Sequence, residues 1–500
     1  MTLETLLENL NIPLPKEFRS LSVSGVACNS KQVKPGDLFV AVKGADADGA
    51  AYIPEALKHG AKVIVSERDF PSDPKTVKVI VPDARKVLAW VCHRFYETPS
   101  ETLKVIGITG TNGKTTVAHL VESLLKEAGF GVGLIGTIAH RVGDREIPAQ
   151  NTTPGALEIQ SLLSQMVHAA SHYAVMEVSS HALDQQRVTS VKFQTAVFTN
   201  LTHDHLDYHH TEEAYFQAKR RLFASLDKEA TSILNADSPY CGRIKEATRA
   251  NCLTYGFQKK ADLSLDSSSF KKHAESVSFD CFTPGGTLHI TSHLIGNHNL
   301  YNVLAAVGVG LSQGIPLETI QEGIAHVTSV AGRLEKIEAG QSYAVYVDYA
   351  HTEDALRVVL LSLREFTPGR LLVVFGCGGD RDRTKRPRMA EVVARSSDWA
   401  VVTSDNPRSE DPKKILKEVE TGFPGSFNYH LEEDRARAIE SALLEAKRGD
   451  TVLIAGKGHE TTQVFKDQTI DFDDRKIAYD ILSHSRDTQS DKRILSSGRG

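Results

Sequence analysis

Through the first hundred residues, short apolar runs recur between polar stretches. DLFVAV (37–42), AKVIVSE (61–67) and VKVIVPD (77–83) have the length and composition of strands, and PEALKHG (54–60) reads as a short helix stopped by glycine. From residue 105 the pattern sharpens: VIGIT is continuously apolar, a glycine-rich turn follows, and TVAHLVESLLKEAG repeats its apolar positions with helical period. AVMEVSS (174–180) and TAVFTN (195–200) are unbroken rather than alternating, as strands buried on both faces of a parallel sheet are. HNLYNVLAAVGVGLSQG (298–314) predicts a long helix ended by glycine. After about residue 330 the rhythm restarts with YAVYVDYAH (343–351), RLLVVFGCGGD (370–380), WAVVTSDNP (399–407) and TVLIAGKGHE (451–460), each strand running into a polar or glycine-rich loop. Helical stretches lie between them, which predicts a doubly wound α/β unit with a ligand crevice at the strand ends.

Composition narrows the class without naming a function. Five hundred residues suggest about three domains at roughly 150 residues each. The 41% hydrophobic and 24% charged content is that of an ordinary soluble globular protein. A net charge of −5 offers no electrostatic reason to expect nucleic acid or an anionic membrane as partner. The six cysteines form no C-x-x-C pair and no zinc-like spacing, which favours free thiols in a reducing compartment. The start carries no basic stretch followed by an apolar one, and no apolar run approaches the roughly 20 residues needed to span a bilayer. The expectation is a cytoplasmic protein that does not insert into membranes. Its Ser/Gly/Arg-rich end, 488–500, is expected to be disordered.

The chemistry starts at GTNGKTT (110–116), between a buried strand and an amphipathic helix. Gly110, Thr111, Asn112 and Gly113 allow a tight turn whose backbone N–H groups point inward, and the helix adds its positive end. Lys114 can reach the β- and γ-phosphates and Thr115 can ligate Mg²⁺. The usual first glycine of such a loop is missing, because Ile108 occupies its place; Gly110 is expected to make the turn while Ile108 stays in the strand core. Glu177 ends an apolar strand, where a second metal ligand lies in many NTPases. THDHLDYHH carries four His and two Asp within TNLTHDHLDYHH (199–210), again after a strand, and suits a metal or phosphate site better than zinc. In EEAYFQAKRRLF (212–223), Tyr215, Phe216, Leu222 and Phe223 form an apolar stripe, and spacing alone makes Lys219 a surface lysine with its stem on that stripe. Further on, Asp348 and His351 end a strand, and GCGGDRDRTKRPRM is a glycine turn with a basic cluster suited to an anion. DNPR (405–408) can pair with both the ammonium and the carboxylate of an amino acid, and GKGHE (456–460) ends a strand in glycines and a carboxylate.

Taken in order, GTNGKTT, EVSSHAL, the N-x-x-x-D-H-L-D run, YFQAKRRLF, GNHNLYNVLAA, GRLE, VDYAHT, GCGGDRD, DNPR and GKGHE resemble the motif series of the Mur ligases, over nearly the whole chain from Ser30 to about Arg475. The resemblance is to the members that add meso-2,6-diaminopimelate. It implies a UDP-sugar-binding mixed α/β domain (1–100), a central ATP-binding P-loop domain with a parallel sheet (101–331) and a C-terminal Rossmann-like domain for the incoming amino acid (332–487). It also implies the reaction: ATP activates the D-Glu γ-carboxylate of UDP-N-acetylmuramoyl-L-alanyl-D-glutamate as an acyl phosphate, which the diaminopimelate amine then attacks. The implied partners are these small molecules, with Mg²⁺ as cofactor and a monomeric enzyme.

Residue by residue, the resemblance implies that Gly110, Thr111, Asn112, Gly113, Lys114, Thr115, Thr116, Asn299, Arg333 and Asp348 bind ATP. Thr115, Glu177, His205 and Lys219 are implied metal ligands, Lys219 after carbamylation, which reverses the spacing-based reading of that lysine. Ser30 and the Ala45-Asp46-Ala47 turn correspond to the uridine site. Asn151, Thr152, Thr153, Ser179, Gln185 and Arg187 correspond to contacts with the muramoyl-peptide part. Arg381, Asp405, Asn406, Pro407, Arg408, Gly456 and Glu460 correspond to the diaminopimelate site, and Arg408 is the feature that lysine-adding relatives lack. Two stretches depart from the family pattern: D-S-R becomes Asn29-Ser30-Lys31, and H-T-P-D becomes His351-Thr352-Glu353-Asp354, losing a proline at a helix start. The alternatives are a lysine-adding relative, a ligase resembling folylpolyglutamate synthase, and a P-loop regulatory NTPase.

Overall fold

The computed structural model describes residues 1–44, 47–73, 75–273 and 275–484. Ala45, Asp46 and the Ser/Gly/Arg-rich end therefore lie outside the described residues. The chain builds three α/β units, each around its own sheet. The first sheet is four-stranded and wholly parallel, in the order Val26–Ala27, Leu38–Val40, Val63–Ser66, Val77–Ile80. The expected short helix is present as Ile53–Lys58, and Gly60 follows it at φ 96°.

The central sheet has eleven strands, with a parallel heart ordered Thr231–Asn235, Phe193–Phe198, Lys104–Thr109, Tyr173–Glu177, Val132–Ile135. Its continuous apolar runs have the expected cause. Ile106, Ile108 and Val175 pack into one core, while Val105, Ala174 and Met176 pack into the core on the opposite face. Both faces are covered, so no position along these strands can be polar without a partner. Antiparallel hairpins extend both edges: Ala139–Val142 with Arg145–Pro148 on one side, Leu263–Lys272, Val277–Thr283 and Gly286–Ser292 on the other. Their mixed polar sequences concealed them from the reading of buried parallel strands.

The last sheet runs Glu335–Lys336, Ala344–Asp348, Thr451–Ala455, Leu371–Cys377, Trp399–Ser404, Tyr429–Leu431, parallel except for its first strand. Alternate residues of one strand again enter different cores, with Leu371, Val373 and Phe375 on one face and Leu372 and Val374 on the other. The strand Thr451–Ala455 returns late in the chain to lie between the first two parallel strands, so the loops after Asp348, Cys377, Ser404 and Ala455 converge at one sheet edge. At the missing proline, Thr352 caps the helix Glu353–Arg364 by accepting from the Ala355 N–H at 3.2 Å.

Beneath this edge lies a buried ion pair. Arg435 and Asp474 are each fully buried, and they are joined through Nε–Oδ1 at 2.8 Å and Nη2–Oδ2 at 2.7 Å. Arg435 also donates to the carbonyls of Ala455 (2.9 Å) and Ser404 (3.3 Å), tying together the ends of two strands. Removing one partner strands the other charge in the interior, so Asp474→Asn is expected to lower folding stability by about 3 kcal/mol. A shift of the urea unfolding midpoint measures this, and an unshifted midpoint would contradict it.

Candidate active site at the junction of the central and C-terminal sheets

Parallel pairing sets the geometry. Ile108 pairs with Glu177 and Thr109 with Phe198, so the glycine loop, Glu177 and Thr199-Asn200 leave the sheet side by side. The loop is folded by close approach. Gly110 lies at φ 151°, and a Cβ there would sit 1.8 Å from Thr199 Oγ1; Gly113 lies at φ 87° with Asn302 Oδ1 2.3 Å from its would-be Cβ. Thr199 Oγ1 donates to the Asn112 carbonyl at 2.6 Å, and the Asn112 N–H donates to Asn200 Oδ1 at 2.9 Å. Ile108 is fully buried, so the expectation that Gly110 turns the loop while Ile108 stays in the core holds. The helix begins at Lys114, one residue after Gly113, earlier than its apolar periodicity indicated.

Glu177 is completely buried and is met by three neutral donors: Thr115 Oγ1 and Thr137 Oγ1 at 2.9 Å each, and the Thr137 N–H at 2.8 Å. Thr153 Oγ1 donates to the Glu177 carbonyl at 2.8 Å and accepts the Ser179 N–H at 2.9 Å. Lys114 Nζ donates to the carbonyls of Gly110 (2.9 Å) and Thr111 (2.8 Å), and burial depresses its pKa against the pull of Glu177. Arg333 Nη2 donates to Thr115 Oγ1 at 3.0 Å, and its guanidinium lies over the Tyr349 ring at 4.7 Å, which joins the C-terminal unit to the loop. Asp348 accepts the Leu334 and Ala350 N–H groups at 2.7 Å each, and burial raises its pKa despite Arg333. Asn299 is buried, donating to the Ile295 carbonyl at 2.8 Å and accepting from Asn302 at 2.9 Å. Thr116 is buried in the first turn of the helix.

One reading from spacing is overturned. Lys219 is not a surface lysine: it is 1% exposed, and its ammonium donates to the Gly110 carbonyl at 2.9 Å over the Tyr215 ring at 4.6 Å. Tyr215, from the apolar stripe it was assigned to border, lies under its ammonium. Burial, reinforced by Lys114, drives its pKa well below the usual lysine range. His205, at φ 54°, stands beside Asp204 (Nε2–Oδ2 3.4 Å) and edge-on to His181 at 4.9 Å. Among the described residues no three His, Cys, Asp or Glu side chains gather in metal-holding geometry. At the loop, the Thr115 hydroxyl and the Glu177 carboxylate are the hard oxygen donors that could hold a divalent cation.

Between the sheets lies a cavity of about 200 Å³, lined by His203, Asp204, His205 and Asp207 from the central unit and by Tyr349, His351, Arg381, Lys385, Asp405, Asn406, Arg408, Gly456 and Glu460 from the C-terminal unit, among others. It thus brings together the expected amino-acid-site residues, except Pro407, which is buried and does not line it. Gly456, at φ 116°, leaves room for Asp405 Oδ2, which a Cβ would meet at 2.7 Å. A residue that sequence patterning did not single out completes the group. Lys457 is fully buried, and its ammonium donates to Asn406 Oδ1 at 3.1 Å and Glu460 Oε2 at 2.9 Å; Asn406 Nδ2 donates to the same Glu460 oxygen at 2.9 Å. Burial opposes ionisation of Asp405, yet Lys457 and Arg435 overcome it and hold that carboxyl below its usual pKa. Its place inside GKGHE was the available signal, but a lysine there reads equally as solvated.

The other expected residues lie apart from this cavity. Ser179 caps the short helix Ser180–Asp184, and Arg187 donates to the Thr153 carbonyl at 2.7 Å and to Gln185 Oε1 at 2.7 Å and 3.1 Å, so four of the muramoyl-peptide candidates form one cluster. Thr152 Oγ1 lies 3.1 Å from Thr137 Oγ1 and can donate to it, and Asn151 is exposed. Ser30 belongs to the first sheet's unit, where it donates to Glu55, and the Ala47 carbonyl accepts from the Gly44 N–H at 2.8 Å. Gln186 Nε2 donates to Asp83 Oδ2 at 2.6 Å, docking that unit onto the central one.

Comparison with known proteins matches residues 108–310 to the Mur ligase middle domain, 332–458 to the Mur ligase glutamate ligase domain and 22–96 to the Mur ligase family catalytic domain. The chain belongs to the Mur ligase family. It is 43% identical, over 96% of its length and 99% of the relative, to the UDP-N-acetylmuramoyl-L-alanyl-D-glutamate--2,6-diaminopimelate ligase of Syntrophomonas wolfei subsp. wolfei. Identity to the like-named protein of Gloeobacter violaceus is 46%, covering 96% of each chain. A solved structure of a ligase of that name is similar at TM-score 0.70 and 30% identity, covering 97% of this chain and all of that one. As a Mur ligase the protein is an ATP-dependent ligase of peptidoglycan synthesis. Among the described residues no helix is long and apolar enough to cross a membrane.

In a Mur ligase, the steric logic of the loop becomes testable. Gly110→Ala forces the loop away from Thr199 by an ångström or more and is expected to weaken ATP binding on the order of a hundredfold. Titration calorimetry with ATP reads this, and an unchanged affinity would show that Thr199, not the loop, gives way.

Proposed function

We propose that this chain joins meso-2,6-diaminopimelate to the D-Glu γ-carboxylate of UDP-N-acetylmuramoyl-L-alanyl-D-glutamate, working as a monomer in the cytoplasm. The observation that carries this reading is the cavity in which Arg408 and Arg381 stand with Asp405 and Glu460. Its two kinds of charge match a substrate with two ammonium and two carboxylate groups, and a guanidinium suits the carboxylate that lysine lacks.

The chemistry divides between the two units. The amides of Gly110–Thr116 receive the ATP phosphates, and Lys114 turns from the loop carbonyls that it bonds in this structure towards the γ-phosphate. Asn299, Arg333 and Asp348 hold the rest of the nucleotide. Thr115, Glu177, His205 and a carbamylated Lys219 would hold Mg²⁺, which supplies charge neutralisation for the crowded phosphate oxygens. Thr152, Thr153, Ser179, Gln185 and Arg187 orient the muramoyl peptide, with Ser30 on the uridine, so that its carboxylate oxygen attacks the γ-phosphate, the β–γ anhydride bond breaks and ADP leaves. The acyl phosphate that results carries phosphate as a good leaving group. Asp405, Asn406 and Glu460 direct one amine of diaminopimelate to its carbonyl; the C–N bond forms, the C–O bond to phosphate breaks, and the amine gives up a proton.

A coupled phosphate-release assay tests the reaction class: phosphate is expected only when ATP, the UDP-sugar dipeptide and diaminopimelate are all present. Release from ATP alone would instead indicate a regulatory NTPase. Arg408→Ala is expected to reduce the preference for diaminopimelate over L-lysine about tenfold to a hundredfold, the worth of one charged hydrogen-bonding pair. An unaltered preference would remove Arg408 from the selective role.

A further inference from the structure

The loop bearing Arg408 is held in a conformation that its own residues do not favour. Arg408 lies at φ 54°, and Asp380 on the facing loop lies at φ 55°. Asp tolerates this region through its short polar side chain, but Arg does not, so surrounding contacts must impose it. Those contacts come from residues outside the cavity. Asp380 accepts the Ser409 hydroxyl at 2.6 Å on Oδ1 and the Ser409 N–H at 3.1 Å on Oδ2, while its own N–H donates to Glu410 Oε1 at 2.6 Å. Glu410 is anchored in turn by the fully buried Arg386, at 2.9 Å and 3.1 Å, and Arg386 also donates to the Gly378 carbonyl at 3.3 Å. The Gly379 N–H donates to the Asn406 carbonyl at 2.9 Å, and a Cβ on Gly379 would sit 1.9 Å from the Pro407 carbonyl oxygen. The two loops are therefore zipped together over their whole facing length.

The consequence falls on one guanidinium. Arg408 Nη1 donates to the Gly379 carbonyl at 2.7 Å and lies 2.8 Å from where a Gly378 Cβ would be. Its side chain is pressed onto the glycine turn while Arg408 still lines the cavity. A long side chain on a mobile loop has many orientations to lose on binding; one fixed in advance does not. We propose that Asp380, through Ser409, and Glu410, through Arg386, are positioning residues that fix Arg408 and so set the preference for an amino acid with a second carboxylate. This rests on the proposed function of the cavity. Loosening the clamp costs affinity for diaminopimelate and leaves lysine, which has nothing to offer Arg408, almost unaffected.

A simple charge effect makes the opposite prediction. Asp380 is negative and stands near Arg408 and Arg381, so as a mere charge it repels a substrate carboxylate, and its removal would tighten binding.

The experiment uses the full-length enzyme with ATP, the UDP-sugar dipeptide and either diaminopimelate or L-lysine. Asp380→Gly keeps the positive φ accessible while removing the carboxylate; Asp380→Asn keeps one acceptor; Glu410→Gln likewise keeps one acceptor while Glu418, at 2.6 Å, still neutralises Arg386. Asp380→Gly is expected to raise KM for diaminopimelate about tenfold, with KM for ATP and kcat at saturating diaminopimelate little changed. The diaminopimelate-to-lysine ratio of kcat/KM falls by the same factor, and Asp380→Asn lies between. Glu410→Gln follows Asp380→Asn; should it lower Tm, the surface Asp380 variants decide. A KM for diaminopimelate that is unchanged or lower, or a uniform loss with both amino acids, overturns the clamp. Wild-type enzyme that does not prefer diaminopimelate instead overturns the function on which it rests.

Discussion

The carboxylate of Glu177 has been taken wholly out of water, and much of the site is arranged around meeting that demand. A buried charge without partners is costly, so donors have to be brought to it from separate segments. Thr115 comes from the first turn after the glycine loop and Thr137 from beyond the neighbouring strand, while Thr153 ties the same residue's carbonyl to Ser179. Thr115 in turn accepts from Arg333, which belongs to the next unit. One residue thus links the glycine loop, the Thr153–Ser179 cluster and the C-terminal unit through a continuous chain of hydrogen bonds. Such a chain gives the units a shared reference point beside the glycine loop.

The second organising principle is the convergence of parallel strands. A parallel sheet sends all its C-terminal ends to one edge, and two such edges face each other here. Loops of the central sheet bring acids and imidazoles, loops of the C-terminal sheet bring guanidinium, amide and carboxylate groups, and the cavity forms between them. The C-terminal half of that site rests on buried charge. Arg435 lies under Asp405, paired with Asp474, and Lys457 joins Asn406 to Glu460. These cations hold the Asp405 carboxyl below its usual pKa against the opposing effect of burial.

How far the sequence could be read depended on which physical signal each residue carries. Strands such as VIGIT and LLVVF were legible because burial on both faces leaves an unbroken apolar run. The glycine loop was legible because only glycine allows the approach of Thr199 to Gly110. The hairpins at the edges of the central sheet were not, since half-exposed strands with mixed polar residues carry a weak pattern. Lys219 shows the limit most clearly. Helical spacing put it beside an apolar stripe, which is equally the position of a surface lysine and of an enclosed one. Its ammonium is met by the Tyr215 ring one turn earlier on its own helix and by the Gly110 carbonyl 109 positions away, and the second contact is one that no local pattern shows. The same holds for Lys457 and for Asp380 and Glu410, whose partners come from separate loops.

By itself, then, the sequence determined the local and periodic features: the α/β class, three successive units, the phosphate loop, and the ordered motifs that mark a Mur ligase. These follow from short-range sterics and from hydrophobic period, both written within a few neighbouring residues. The tertiary structure alone decided which charges are buried, which polar groups neutralise them, and how Arg408 is held against Gly379. Those outcomes depend on contacts between residues tens to hundreds of positions apart, where desolvation and pairing are settled by the packing of whole sheets rather than by any local pattern.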